Sequence, residues 1–205
     1  MDARIEKTMA ALQRNKIKPF YVETREELHS LVRELIKNDK LITAGGSMSM
    51  KESGVTDLLM NEYKGIYLDR SAGTTPDEVE DIMRKAFVSD TFFASANALT
   101  EEGDIYNVDG KGNRVSAMIF GPKQVILIVG VNKIVQDTAE AIMRVEKIAA
   151  PKNTVRLGCD TPCAKTGLCG HCHSEGRICC TYVKMSQQRV PDRIKVIIVN
   201  EKLGY

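Results

Sequence analysis

Three features of the sequence predict an α/β fold, a mainly parallel sheet with helices on both faces. Strand-like apolar runs alternate with segments of helical periodicity, the pattern of β–α units. Gln124-Val125-Ile126-Leu127-Ile128-Val129-Gly130 and Lys195-Val196-Ile197-Ile198-Val199 are near-continuous apolar runs, as expected of strands buried on both faces. Helix-start signals stand where the periodicity changes: Thr24 with Glu27, and Thr75-Pro76-Asp77-Glu78.

In chain order, residues 1–16 place Ile5, Met9 and Leu12 on one face of a first amphipathic helix. Behind Thr24, Leu28, Leu31, Val32, Leu35 and Ile36 form a helical stripe. Lys40 to Ala44 reads as a short strand ending in Gly45-Gly46. Leu58, Leu59 and Tyr63 suggest a helix, and Gly65 to Asp69 a strand. Val79, Ile82, Met83, Ala86 and Phe87 give the next helix its apolar face, and Thr91 to Ser95 is a third strand. A turn-rich stretch, Asn97 to Arg114, precedes a short apolar segment, Val115 to Phe120. After the strand at Gln124 comes a long helix carrying Val135, Ala139, Ile142, Val145 and Ala149, expected to end before Pro151.

The chain has 205 residues, enough for one α/β domain over 1–205 with a cysteine-rich segment, 158–183, appended within it. Its 29 basic and 27 acidic residues are interspersed, so no basic stripe argues for nucleic acid or an anionic membrane surface. The longest apolar run, Val125 to Val131, is far too short to span a bilayer, and the first residues lack the apolar stretch of a secretory signal. A cytoplasmic protein is expected.

In open α/β sheets ligands sit at the carboxyl ends of strands. Two segments fall there. Gly45-Gly46-Ser47 follows a strand; bare backbone and a hydroxyl suit an anionic ligand, although Ser47 could equally be a helix cap. The second segment runs from Ser95 through Asn97, Glu101, Asp109 and Asn113 to Arg114. It offers amides, carboxylates and a guanidinium, and Asp109-Gly110 and Gly112-Asn113 would also suit a solvated hairpin. Neither the P-loop nor the Rossmann glycine spacing occurs, so no nucleotide cofactor motif is present.

All six cysteines lie within 22 residues, spaced Cys159-x3-Cys163-x5-Cys169-x2-Cys172-x6-Cys179-Cys180. Thiols so clustered act together, as metal ligands, a redox pair or a disulfide knot. The spacing matches neither a ferredoxin run nor a zinc ribbon. Cys163, Cys169, Cys172 and Cys179 are the expected ligand set, with Cys159 as a competing fourth and His171 or His173 as substitutes. Cys180 is surplus, because adjacent residues rarely both reach one centre. Cys169-Gly170-His171-Cys172 also spells a disulfide-exchange motif, but without the strand that normally precedes one. Plain reduced cysteines are the remaining reading.

Three segments resemble the LUD-domain family of lactate utilization proteins: Ile42 to Val55, Ser95 to Val135, and Gly158 to Val183. The resemblance covers essentially the whole chain as a stand-alone member. It implies a fold like ribose-phosphate isomerase and the CoA-transferases, and a role in lactate or organic-acid metabolism. Relatives of that fold use a carboxylate near this sheet edge as base or nucleophile, which by position would be Glu101. Gly45, Gly46 and Ser47 would meet the ligand's anionic end, and Asn97, Asp109, Asn113 and Arg114 would line the pocket. Relatives that work with iron–sulfur partners tilt the cysteine set toward an iron–sulfur cluster over zinc. The partners implied are a small anionic ligand, iron–sulfur oxidoreductase subunits and a second copy of the chain. Two other functions stay open: a metal-binding accessory or electron-transfer subunit without its own catalysis, and an isomerase or CoA-transferase-like enzyme.

Overall fold

A computed structural model describes residues 2–205. Ten strands form two sheets. The larger consists of β1 (Lys18–Val22), β2 (Ile42–Ala44), β3 (Tyr67–Leu68), β4 (Thr91–Ala94), β7 (Gln124–Gly130) and β10 (Ile194–Val199), in the order β1-β10-β7-β4-β2-β3. Every pairing in it is parallel. The smaller sheet has the order β8-β5-β6-β9 and comprises β5 (Ala98–Thr100), β6 (Ile105–Asp109), β8 (Ile134–Val135) and β9 (Thr181–Met185).

Period-2 alternation splits the central strands between two cores. On one face Ile126, Ile128, Ile197 and Val199 pack against Leu28, Val32 and Ile36 of helix α2 (Arg25–Ile36). Met50 of α3 (Met48–Glu52) and Val55, Leu58 and Leu59 of α4 (Val55–Glu62) complete that core. On the other face Val125, Leu127, Val129, Val196 and Ile198 meet Ile5 and Leu12 of α1 (Ala3–Arg14), together with Leu99, Ile105 and Ile134 of the small sheet. The mainly parallel α/β architecture therefore stands, but the second face is covered largely by a sheet rather than by helices.

Local chemistry explains the elements. Thr24 accepts from Glu27 N, while the Glu27 carboxylate reaches Glu23 N at 2.8 Å, one residue short of a closed box. The full reciprocal box forms at Thr75 and Glu78, opening α5 (Pro76–Lys85). The turn-rich stretch contains β5 and β6, a hairpin whose buried Leu99, Ile105 and Asn107 a reading by turn residues overlooks. Val115 to Phe120 is mostly helix, α6 (Asn113–Ile119).

Pro151 does not end the long helix. The chain runs through α7 (Thr138–Arg144), a π-helical turn at Val145–Ala149 and α8 (Ala150–Arg156). Proline directly follows the wider π turn, which accommodates both the ring and the missing N–H. A short helix, α9 (Pro162–Thr166), then opens the cysteine segment.

Candidate functional site

Because β2, β4 and β7 run parallel, their carboxyl ends share one edge of the sheet. A cavity of about 280 Å³ lies there, lined by Gly46 and Ser47 after β2, Ser95, Ala96 and Asn97 after β4, and Lys133 after β7. Asp109, Asn113 and Arg114 close it from the small sheet and α6, and Arg156 and Tyr205 from the C-terminal half. Its size lies near the lower end for small-molecule sites.

Arg114 organises this wall. Nε donates to Asp109 Oδ1 at 3.4 Å, Nη1 to Ser95 O at 3.1 Å and Asn107 Oδ1 at 2.6 Å, and Nη2 to Asn97 Oδ1 at 3.2 Å and Val108 O at 2.9 Å. All five guanidinium N–H groups are engaged by the protein. Arg114 therefore joins the end of β4 to β6 and has no donor left for a ligand. Burial lowers its pKa, and Asp109 opposes that shift. Asn107 Oδ1 also accepts from Asn97 N at 3.1 Å, and Asn107 Nδ2 is left buried without a partner.

Other cations face the cavity with donors to spare. Arg70 makes no side-chain hydrogen bond among the described residues, and its guanidinium lies over Gly46. A Cβ at Gly46 would stand 2.5 Å from Arg70 Nη2, so bare backbone makes room for the charge. Lys111 is exposed at the rim; Arg156 is braced by Asn153 Oδ1 and the Tyr205 hydroxyl. Asp109 is the lone carboxylate lining the cavity, and Arg114 already neutralises it.

Lys133 is strongly perturbed. It is 4% exposed, and Nζ donates to Ser95 Oγ and Ala96 O, both at 3.1 Å. No carboxylate pairs with it among the described residues. Burial, followed by the charges of Arg144 and Arg114, brings its pKa down to about 7. Arg144, held by Asn97 O at 2.6 Å and Asn132 O at 3.3 Å, is itself lowered to about 10 by burial. Gly204, at φ +58°, lies beside Ser49 and the Lys133 amine: a Cβ there would stand 2.8 Å from Ser49 Oγ and 3.4 Å from Lys133 Nζ. An amine poised near neutrality can exchange protons or attack a carbonyl.

Of the residues the sequence nominated for ligand contact, Gly46, Ser47, Asn97, Asp109, Asn113 and Arg114 line this cavity. Gly45 does not; it faces a smaller void beyond Arg70, with Phe92 and Ala86. Glu101 is not among the lining residues either. Its carboxylate accepts from Arg4 Nε at 2.7 Å and Lys7 Nζ at 2.9 Å, stapling α1 to the small sheet, and these cations hold its pKa down. Sequence reasoning missed Arg70, Lys133 and Arg156. Lys133 carried a faint signal, a lone lysine directly after the most apolar strand.

The cysteine segment forms a second, smaller cavity of about 20 Å³. Cys163, Cys169, Cys172 and Cys179 line it together with His171, Arg177 and Ile178; Cys159 and Cys180 do not. Among the described residues, no group of three or more His, Cys, Asp or Glu side chains is placed to hold a metal ion. All six thiols are free. Burial, reinforced by the neighbouring thiols, pushes the Cys179 thiol up to about 11, while Ser174 hydrogen bonds pull Cys172 down.

A family model for the LUD domain matches residues 5–199. The chain belongs to the LUD domain family. Among solved structures, this LUD domain is similar to a DUF162 family protein from Deinococcus radiodurans, at 14% identity and a TM-score of 0.53, with 96% of this chain and 94% of that one covered. At that identity the likeness shows a shared fold. No curated protein matches.

Proposed function

We propose that this LUD domain binds a small organic acid at the sheet edge and serves lactate or related organic-acid metabolism. One observation carries the reading: Arg70, Lys111, Lys133 and Arg156 face a cavity whose single carboxylate, Asp109, is already neutralised by Arg114. Clustered cations repel one another, and the buried Lys133 amine lacks a carboxylate partner among the described residues, so a bound anion offsets both costs. Family membership supplies the lactate-related direction.

Lys133 favours an enzymatic role over passive binding. An amine buried at the pocket floor, with its pKa near neutrality, is suited to accept a proton from a bound hydroxy acid or to return one. The isomerase or CoA-transferase-like alternative draws no support from the site, because the carboxylate it needs, Glu101, is tied to α1.

Titration calorimetry with L-lactate, pyruvate and inorganic phosphate tests the reading. A carboxylate should bind the wild-type chain and bind Arg70→Ala about tenfold or more weakly, since a charge-assisted contact of roughly 1.5–3 kcal/mol is lost. The thermal midpoint of that variant should barely move, because Arg70 is exposed and makes no side-chain hydrogen bond. Absence of heat and of thermal stabilisation with either carboxylate would sink the proposal.

A further inference from the structure

The six cysteines sort into four and two. Cys163 sits at the start of α9, Cys169 and Cys172 on the irregular loop after it, and Cys179 just before β9, yet all four face one cavity. Cys180, next in sequence to Cys179, is exposed, with its Sγ 3.6 Å from Arg177 O. Adjacent residues in extended chain point to opposite sides, so only one of this pair can face the cavity.

The chemistry of the lining is selective. No aspartate or glutamate borders the cavity, so the hard oxygen ligands preferred by magnesium or calcium are missing. Thr154 and Thr161 place hydroxyls 3.5 and 3.4 Å from Cys163 Sγ, the kind of outer hydrogen bond that steadies a ligating thiolate. Arg177 borders the cavity and ties its two ends together, donating to Cys172 O at 2.6 Å and Cys179 O at 2.8 Å. Its positive charge acts on the Cys172 and Cys179 thiols.

Spacing distinguishes a single ion from a cluster. A single zinc ion needs its four sulfurs to converge at about 2.3 Å. Among the described residues, no three such side chains converge in that way. A polynuclear centre spreads its thiolates over several irons and suits the wider arrangement.

We propose that Cys163, Cys169, Cys172 and Cys179 hold an iron–sulfur cluster in this cavity. Each thiol gives up its proton on ligation. Ile178 lines both this cavity and the anion pocket, and Cys180 N donates to Asp109 O at 3.0 Å, so the cluster would lie directly behind a pocket wall. The assignment is independent of what the pocket binds.

The test uses the full chain, its thiols reduced and kept anaerobic, reconstituted with sulfide and an equimolar mixture of ferrous and ferric iron and then desalted. Wild type should retain iron and acid-labile sulfide in equal amounts and show broad visible absorbance. Alkylation followed by mass spectrometry should then label Cys159 and Cys180 while sparing the other four, and labelling should reach all six after chelation. This footprint requires no variant that might fail to fold. Cys159→Ser and Cys180→Ser should keep the cluster; Cys169→Ser and Cys179→Ser should lose it. Failure of wild type to retain iron and sulfide overturns the proposal. So does zinc retained without sulfide on the same thiols, or protection that includes Cys180.

Discussion

The cationic pocket and the cysteine cavity share the Ile178 wall, but different forces shape them. Around the pocket, strand ends fix the backbone and Arg114 satisfies carbonyls and side-chain oxygens from the link after β4 and from β6 at once. That wall is built before any ligand arrives. The cysteine cavity is bounded by a five-residue helix and an irregular loop, with Arg177 as its main cross-tie. His171 there adopts a left-handed backbone conformation, φ +48°, uncommon outside glycine. A preformed site gains affinity because little order remains to be imposed on binding; a loop-bound site must obtain part of its order from its occupant.

Replacing Arg114 with alanine tests the contrast most severely. It would leave the Asp109 carboxylate without its cation and take one donor each from the Asn97 and Asn107 oxygens, and breaking a buried pair of this kind costs about 3–5 kcal/mol. Urea unfolding should show a loss of that order, against a small one for Arg177→Ala in the apo cysteine loop. Comparable losses would erase the distinction between the two regions.

The pH response gives an intermediate effect. The folded pKa of Lys133, about 7, lies below its ordinary value of 10.5. Between those values the unfolded chain carries the proton and the folded chain does not, so this group raises stability as pH climbs through that window. Below about pH 7 its penalty is constant. Anion affinity should run the opposite way, full below pH 7 and falling above it as the charge is lost. Calorimetry from pH 6 to 9 should show that decline in wild type and a flat, weaker profile in Lys133→Met. Identical profiles would remove Lys133 from the site.

The smallest effect is expected at Glu101. Glu101→Gln should lower the thermal midpoint slightly at neutral pH, because partly exposed ion pairs contribute little. The difference should vanish under acid, where the wild-type carboxylate is protonated too. Carboxylate binding should not change; a clear loss would return Glu101 to the pocket.

Sequence alone determined the parallel sheet. Uninterrupted apolar runs such as Val125 to Val129 can be satisfied only by burial on both faces, and that requirement holds whatever surrounds them. It also selected the strand ends after β2 and β4, since glycines and polar residues there follow buried strands. What it could not weigh was competition for donors. Arg114 reads as a ligand clamp, yet the hairpin of β5 and β6 returns beside β4 and takes every N–H it has. Glu101 reads as a base, but α1, nearly a hundred residues earlier, reaches it first. Tertiary structure decided those roles, and brought Lys133, Arg70 and four cysteines to their cavities. A side chain's chemistry is written in its type, whereas its partners depend on which distant segments fold beside it.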